Sequence, residues 1–124
     1  MAEGFSYRIE QHEEYVYIHQ AGRLTDAGAR RLLQELEARL LASNVRKAVF
    51  DNRNTEAPDE PVRQRMWDWI ENAGLLDKVA LILESSLTVV RTNMTALSRR
   101  VQLRAFDSVT EAATWLLSAG DPSS

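Results

Sequence analysis

Apolar and polar positions follow two periods along this chain, and the switches between them mark its elements. Near the N-terminus Phe5, Tyr7 and Ile9 alternate with Ser6, Arg8 and Glu10, the period of two of a strand with one buried face. Tyr15-Val16-Tyr17-Ile18 is a second strand-rich run, and the polar residues 11–14 between the two predict an antiparallel hairpin ending at Gly22. The spacing then becomes helical. Ala29, Leu32, Leu33, Leu36, Leu40 and Leu41 form one stripe, with Glu35, Glu37 and Arg39 facing away. Thr25 is its cap, Asp26 puts negative charge in the first turn, and Asn44 is a left-handed stop.

The stretch KAVFDNRN follows. Ala48-Val49-Phe50 is an apolar run closed by Asp51 and Arg53, which predicts a buried parallel strand whose C-terminal end opens into a polar loop. In open α/β sheets that end is where ligands and partners meet the protein. Ala57-Pro58 predicts a loop over residues 55–60, since the residue before a proline avoids the α region. Pro61 suits the first turn of a second helix with Val62, Met66, Trp69, Ile70 and Ala73 inward and Gly74 at its end. Trp67 falls off that stripe and is expected to be exposed. Residues 79–83 are continuously apolar, as a parallel strand covered on both faces must be.

Ser85 or Ser86 caps a third helix, in which Leu87, Val90, Met94, Leu97 and Val101 recur at helical spacing and are expected to be its buried stripe. Thr88, Thr92 and Thr95 give it mediocre propensity, so packing is expected to hold it. Residues 102–106 read as a short edge strand. Ser108 to Glu111 fits a capping box for a last helix with Val109, Ala112, Ala113 and Leu116 inward. Trp115 would cover the sheet edge or a partner, Gly120 would end the helix, and residues 121–124 would fray. The predicted fold class is therefore α/β. It is a single-domain mixed sheet of about five strands over residues 1–124, in the order β-β-α-β-α-β-α-β-α, with helices packed on the sheet.

Composition narrows the picture further. With 124 residues, 44% hydrophobic and 27% charged, the chain has a globular balance. A net charge of −3 gives no general nucleic-acid signal. There is no cysteine, hence no disulfide and no thiolate chemistry. The acidic start is unlike a signal peptide, and no run reaches the roughly 20 apolar residues of a membrane span. A soluble cytoplasmic protein is the expectation.

Candidate chemistry is sparse. Five glycines make neither a GxGxxG nor a GxxxxGK[ST] loop, and no cofactor is expected. His12 and His19 lack a further histidine and carboxylate at metal-ligand spacing, so no metal is expected. Asp51 and Glu84 end two apolar strands and would leave the sheet at one end, where they form a candidate acid–base pair for an enzyme. The alternative is that strands simply end in charge and that Arg53 pairs with Asp51. Residues 85–106 hold Arg91, Arg99, Arg100 and Arg104 and no acidic residue, a candidate anion-binding face. Helix-dipole complementarity explains Arg99 and Arg100 without a ligand.

The segment VQLRAFDSVTEAATWLL, residues 101–117, carries a family resemblance. A short strand ends in Phe106, and a helix capped near Ser108 carries Ala112, Ala113, Trp115 and Leu116. With the element order, this resembles the bacterial STAS-like, SpoIIAA-like group of anti-sigma-factor antagonists, also compared with the Sec14 lipid-binding fold. The resemblance implies a non-catalytic regulatory or scaffolding module acting by protein contact, with a protein partner or a homodimer. In the antagonist branch the loop after the central strand reads aspartate-serine-serine-glycine and a serine is phosphorylated. Here it reads Asp51-Asn52-Arg53-Asn54-Thr55, so the aspartate matches, the serines and glycine do not, and Thr55 is the nearest hydroxyl. The expected partner-binding set is Asp51, Asn52, Arg53, Asn54 and Thr55, with Trp67 and Glu84. The Sec14 comparison implies the alternative, an apolar or lipid-like ligand between helices and sheet.

Overall fold

The computed structural model describes residues 4–118; Gly120 and the expected frayed tail lie outside them. Strands β1 (Ser6–Gln11), β2 (Val16–Arg23), β3 (Lys47–Glu56), β4 (Lys78–Ile82) and β5 (Leu103–Phe106) form one sheet in the order β1-β2-β3-β4-β5. β1 and β2 are antiparallel, and the other neighbours are parallel. Helices α1 (Asp26–Ser43), α2 (Glu60–Asn72) and α3 (Ser86–Arg99) connect the parallel strands, and α4 (Val109–Leu117) ends the described chain. The predicted architecture is the observed one. The central strand and the next apolar strand are parallel neighbours, with Phe50 opposite Leu81 and Asp51 opposite Ile82.

Alternation along the strands divides the core. Val16, Ile18, Ala48, Phe50 and Val79 face the layer of α1, α2 and α3. Val49, Ala80 and Ile82 face α4, whose Ala112 and Leu116 are fully buried. α1 is the main support. Thr25 Oγ1 accepts from the Gly28 N–H at 3.0 Å, and Asn44 stops the helix at φ 60°. Its buried side chains are Ala29, Leu32, Leu33, Leu36 and Leu40, and each leucine contributes about 1.5–3 kcal/mol of burial. Gly28 is required by a close approach, because a Cβ there would lie 2.8 Å from the Phe5 ring.

Five expectations are corrected. Leu41 is 67% exposed, since it lies about 100° around the helix from Leu40 and past the edge of the stripe. Val109, expected inward, is 38% exposed at the first turn of α4. Trp67 is half-buried against the main core, and the Arg99 guanidinium covers its ring at 5.5 Å. Residues 51–56 are strand, not loop, because β2 runs far enough to pair with them through Arg23 opposite Glu56.

The largest correction is α3. Leu87, Val90, Met94 and Leu97, its expected core stripe, all face outward, and Ala96 is its one buried residue among those described. Val101 lies beyond the helix, half-buried against the core. The inward side mixes small apolar and polar residues, with Ala96 in the core and Val89, Thr92, Asn93 and Arg99 half-buried, and sits on β5. The Asn93 side chain donates to Ala105 O at 3.2 Å and accepts from Ala105 N at 2.7 Å. Asn93 thus satisfies backbone groups on the outer edge of β5 as another strand would, and shields that edge. Arg99 reaches across to Glu71 at 2.8 Å and Gln64 at 2.6 Å on α2. Polar bonds, the Ser85 cap and the single core contact of Ala96 stand where the sequence pattern predicts a broad apolar stripe.

Candidate functional site

The second face of the sheet is covered over only part of its width. α4 lies on β4, β5 and the near side of β3. It leaves the β1–β2 half without a helix among the described residues. The polar residues of β1, Arg8 and Glu10, point to this half, since Tyr7 and Ile9 face the main core. From β2 come Tyr17 and His19, alternating with the fully buried Val16 and Ile18. Register places Arg8 opposite His19, Glu10 opposite Tyr17, and His19 opposite Asp51.

Asp51 is the anchor of this surface. It is only 7% exposed. The Tyr17 hydroxyl donates to its Oδ2 at 2.7 Å, and Arg53 grips both oxygens through Nε at 2.9 Å and Nη2 at 2.7 Å. The Arg53 N–H also donates to Oδ1 at 3.2 Å. This local fold-back coincides with a register shift: β2 advances from His19 to Ala21 while β3 advances from Asp51 to Asn54. The extra β3 residue is a bulge, which re-aims side chains and bends the strand. Burial pushes the Asp51 carboxyl up, but the bonds from Arg53 and Tyr17 outweigh it and bring it down to about 2. Burial, and then the bond to Asp51, push the Tyr17 hydroxyl up to about 12. Asp51 is therefore a fixed anion with its lone pairs in use and no proton to donate at neutral pH.

A second cluster adjoins it. Glu10 lies between two imidazoles, with His19 Nε2 at 2.9 Å and His12 Nε2 at 3.6 Å. The bond with His19 holds the Glu10 carboxyl below its ordinary range. Ring contacts continue the surface: His12 stacks on Tyr15 and Tyr17 lies tilted against His19, each with centroids 4.5 Å apart. Sequence reasoning missed this constellation because its members are paired across strands. The readable signal was the alternation itself, which puts Glu10, Tyr17 and His19 on the face opposite Ile9 and Ile18. Among the described residues no group of three or more His, Asp or Glu is arranged to hold a metal ion.

The expected site residues separate. Asp51 and Arg53 lie together on the open face. Asn52 points the other way and accepts a hydrogen bond from the buried Gln20. Thr55 Oγ1 donates to Asn52 O at 2.8 Å, inside the strand. Asn54 is exposed beside a depression of about 220 Å³ that also takes in Arg8, His19 and Gln20. Glu84 is exposed just after β4, at the same end of the sheet as Asp51. Trp67 is on α2, across the sheet from Asp51.

The four arginines do not converge either. Arg99 is committed to α2, Arg104 lies over the Phe106 ring at 5.8 Å, and Arg91 and Arg100 are exposed on and after α3. The layer between helices and sheet is filled by core side chains. A depression of about 470 Å³ lies outside it, between α1 and α2, bordered by Leu33, Trp69, Arg65 and Asp68.

No family model matches this chain, and no curated protein matches it. Solved structures do. A protein of the DUF3478 family with a SpoIIAA-like fold from Shewanella loihica is 18% identical, with a TM-score of 0.70 over 91% of this chain and 93% of that one. An anti-sigma factor antagonist from Mycobacterium paratuberculosis is 16% identical, with a TM-score of 0.70 over 95% and 98%. The Bacillus cell fate determinant SpoIIAA in its phosphorylated form is 15% identical, with a TM-score of 0.56 over 89% and 98%.

Proposed function

With a SpoIIAA-like fold as the premise, we propose that this chain is a non-catalytic module that works by binding another protein. The observation that carries the proposal is the uncovered β1–β2 half of the sheet's second face. It presents tyrosine and histidine rings around a fixed Asp51–Arg53 pair, a mix of apolar area and polar tips that suits a protein interface. Two solved structures of this fold are anti-sigma factor antagonists, which favours the same class of activity. An acid–base role for Asp51 and Glu84 is disfavoured by the complete hydrogen bonding of Asp51. The lipid-like ligand finds less support, since the depression between α1 and α2 carries Arg65 and Asp68 on its lining and lies outside the helix–sheet layer.

Partner contact here would leave Asp51, Arg53, Tyr17 and His19 near its centre, with Asn54 and Glu84 at the rim. A photo-crosslinking residue placed at Arg8, on the open face, is compared with one at Gln34, exposed on α1. The expected result is a discrete protein adduct from Arg8 alone, lost when His19→Ser or Tyr15→Ser is added. Equal adducts from both positions, or none from Arg8, would refute this surface.

A further inference from the structure

The outer face of α3 has no role in the fold described above. Leu87, Val90, Met94 and Leu97 are 58%, 55%, 65% and 78% exposed. They recur at i, i+3, i+7 and i+10, the spacing of a helix-pairing seam. Scattered exposed apolar residues are ordinary, but a contiguous run of four large ones marks an interaction surface. Turning α3 to bury them would break both Asn93 bonds to Ala105 and the Arg99 contacts to Gln64 and Glu71. The outward orientation is therefore built into the fold.

Charge selects what covers the seam. Residues 85–106 contain no Asp or Glu. Arg91 and Arg100 flank the apolar run, are exposed, and make no ion pair among the described residues. Pairing α3 with its copy in a second molecule would join two arginine-flanked seams without one carboxylate between them. We propose that the outer face of α3 is a docking surface for an amphipathic helix of a partner protein, with Asp or Glu flanking its apolar stripe. The helix-in-groove mode supplies the geometry, and the flanking charges supply orientation and choice of partner. The seam runs from Leu87 to Leu97 within α3, about 15 Å at about 1.5 Å per residue. One helix pair of that length buries less than the usual roughly 800 Å² per partner, which fits a transient contact. This surface lies at the β5 edge, away from the β1–β2 face, and stands whether or not that face binds anything.

The test uses the full chain and a fluorescent, end-blocked peptide about four turns long, with leucine at the seam positions and glutamate at the flanks. Its twin carries lysine at the flanks, and a third probe is vesicles of phosphatidylcholine and phosphatidylglycerol. Anisotropy titration is expected to favour the glutamate peptide over its twin by about tenfold or more. Met94→Glu should weaken it by about tenfold or more, with circular dichroism unchanged, because Met94 supports nothing in the fold. Arg91→Glu with Arg100→Glu should reverse the preference between the peptides. Failure to bind, equal affinity for the twins, or vesicle binding without peptide binding would overturn the proposal. So would self-association that Met94→Glu abolishes, which would mean a second copy covers the seam.

Discussion

α1 and α3 carry the same kind of apolar spacing and use it in opposite directions. In α1 the stripe of Leu32, Leu36 and Leu40 lies on the sheet and is almost wholly removed from water. In α3 the stripe of Leu87, Val90, Met94 and Leu97 points away, and Asn93, Ala96 and Arg99 make the contacts. Periodicity shows that a helix has an apolar face. It does not say whether the sheet or another molecule receives it. The side with specific polar partners marks the orientation, because turning α3 over would strip Asn93 from the backbone of Ala105 and Arg99 from α2.

The widest separation between the two helices should appear on truncation. Leu36→Ala is expected to lose about 2–5 kcal/mol in urea denaturation, from lost burial and the cavity left behind. Leu97→Ala should change stability by less than about 0.5 kcal/mol. A loss at Leu97 approaching that at Leu36 would mean that α3 packs the other way round.

The next contrast is between two arginines. Arg53 is tied to a buried carboxylate, and Arg91 is not. Arg53→Ala should cost about 1–3 kcal/mol at neutral pH by leaving the nearly buried Asp51 carboxylate short of its hydrogen-bond donors, and Arg91→Ala should cost almost nothing. The Asp51 carboxyl is lowered to about 2 in the folded state. Its contribution is therefore complete above the unfolded value near 4 and is lost as pH falls through the folded one. The gap between wild type and Arg53→Ala should be full at pH 7 and close toward pH 2. A gap independent of pH would dissociate the effect from Asp51.

A smaller effect is expected at the inward side of α3. Asn93→Ala removes two hydrogen bonds from the outer edge of β5 and should cost about 1–2 kcal/mol. The amide of Ala105 should then exchange faster, while that of Leu81 in the interior strand keeps its protection. If Ala105 is unaffected, Asn93 does not guard that edge.

Element order, the parallel pair β3–β4 and three of the caps were legible in the sequence, because Thr25, Asn44 and Ser108 act on residues within a turn of themselves. Legibility ended where a residue's partner is remote in the chain. The polar run after Phe50 read as a loop because nothing local shows that β2 extends to Arg23 and pairs with it. Trp67 read as exposed because its cover, Arg99, lies 32 positions later. Of the site, Asp51 and Arg53 were visible as neighbours. The Glu10–His19 pair and the Tyr17–Asp51 bond were not, since both depend on register across strands.

The absence of cysteine makes one measurement especially clean. Single cysteines are placed at Leu87, Val90, Met94, Leu97 and Ala96, and their rates with a thiol-reactive disulfide are compared with that of a short unstructured peptide. The first four are expected to react at close to the peptide rate, and the cysteine at Ala96 at least about a hundredfold more slowly, since it reacts only through opening of the structure. A protected seam with a reactive position 96 would contradict the orientation of α3 on which this account turns.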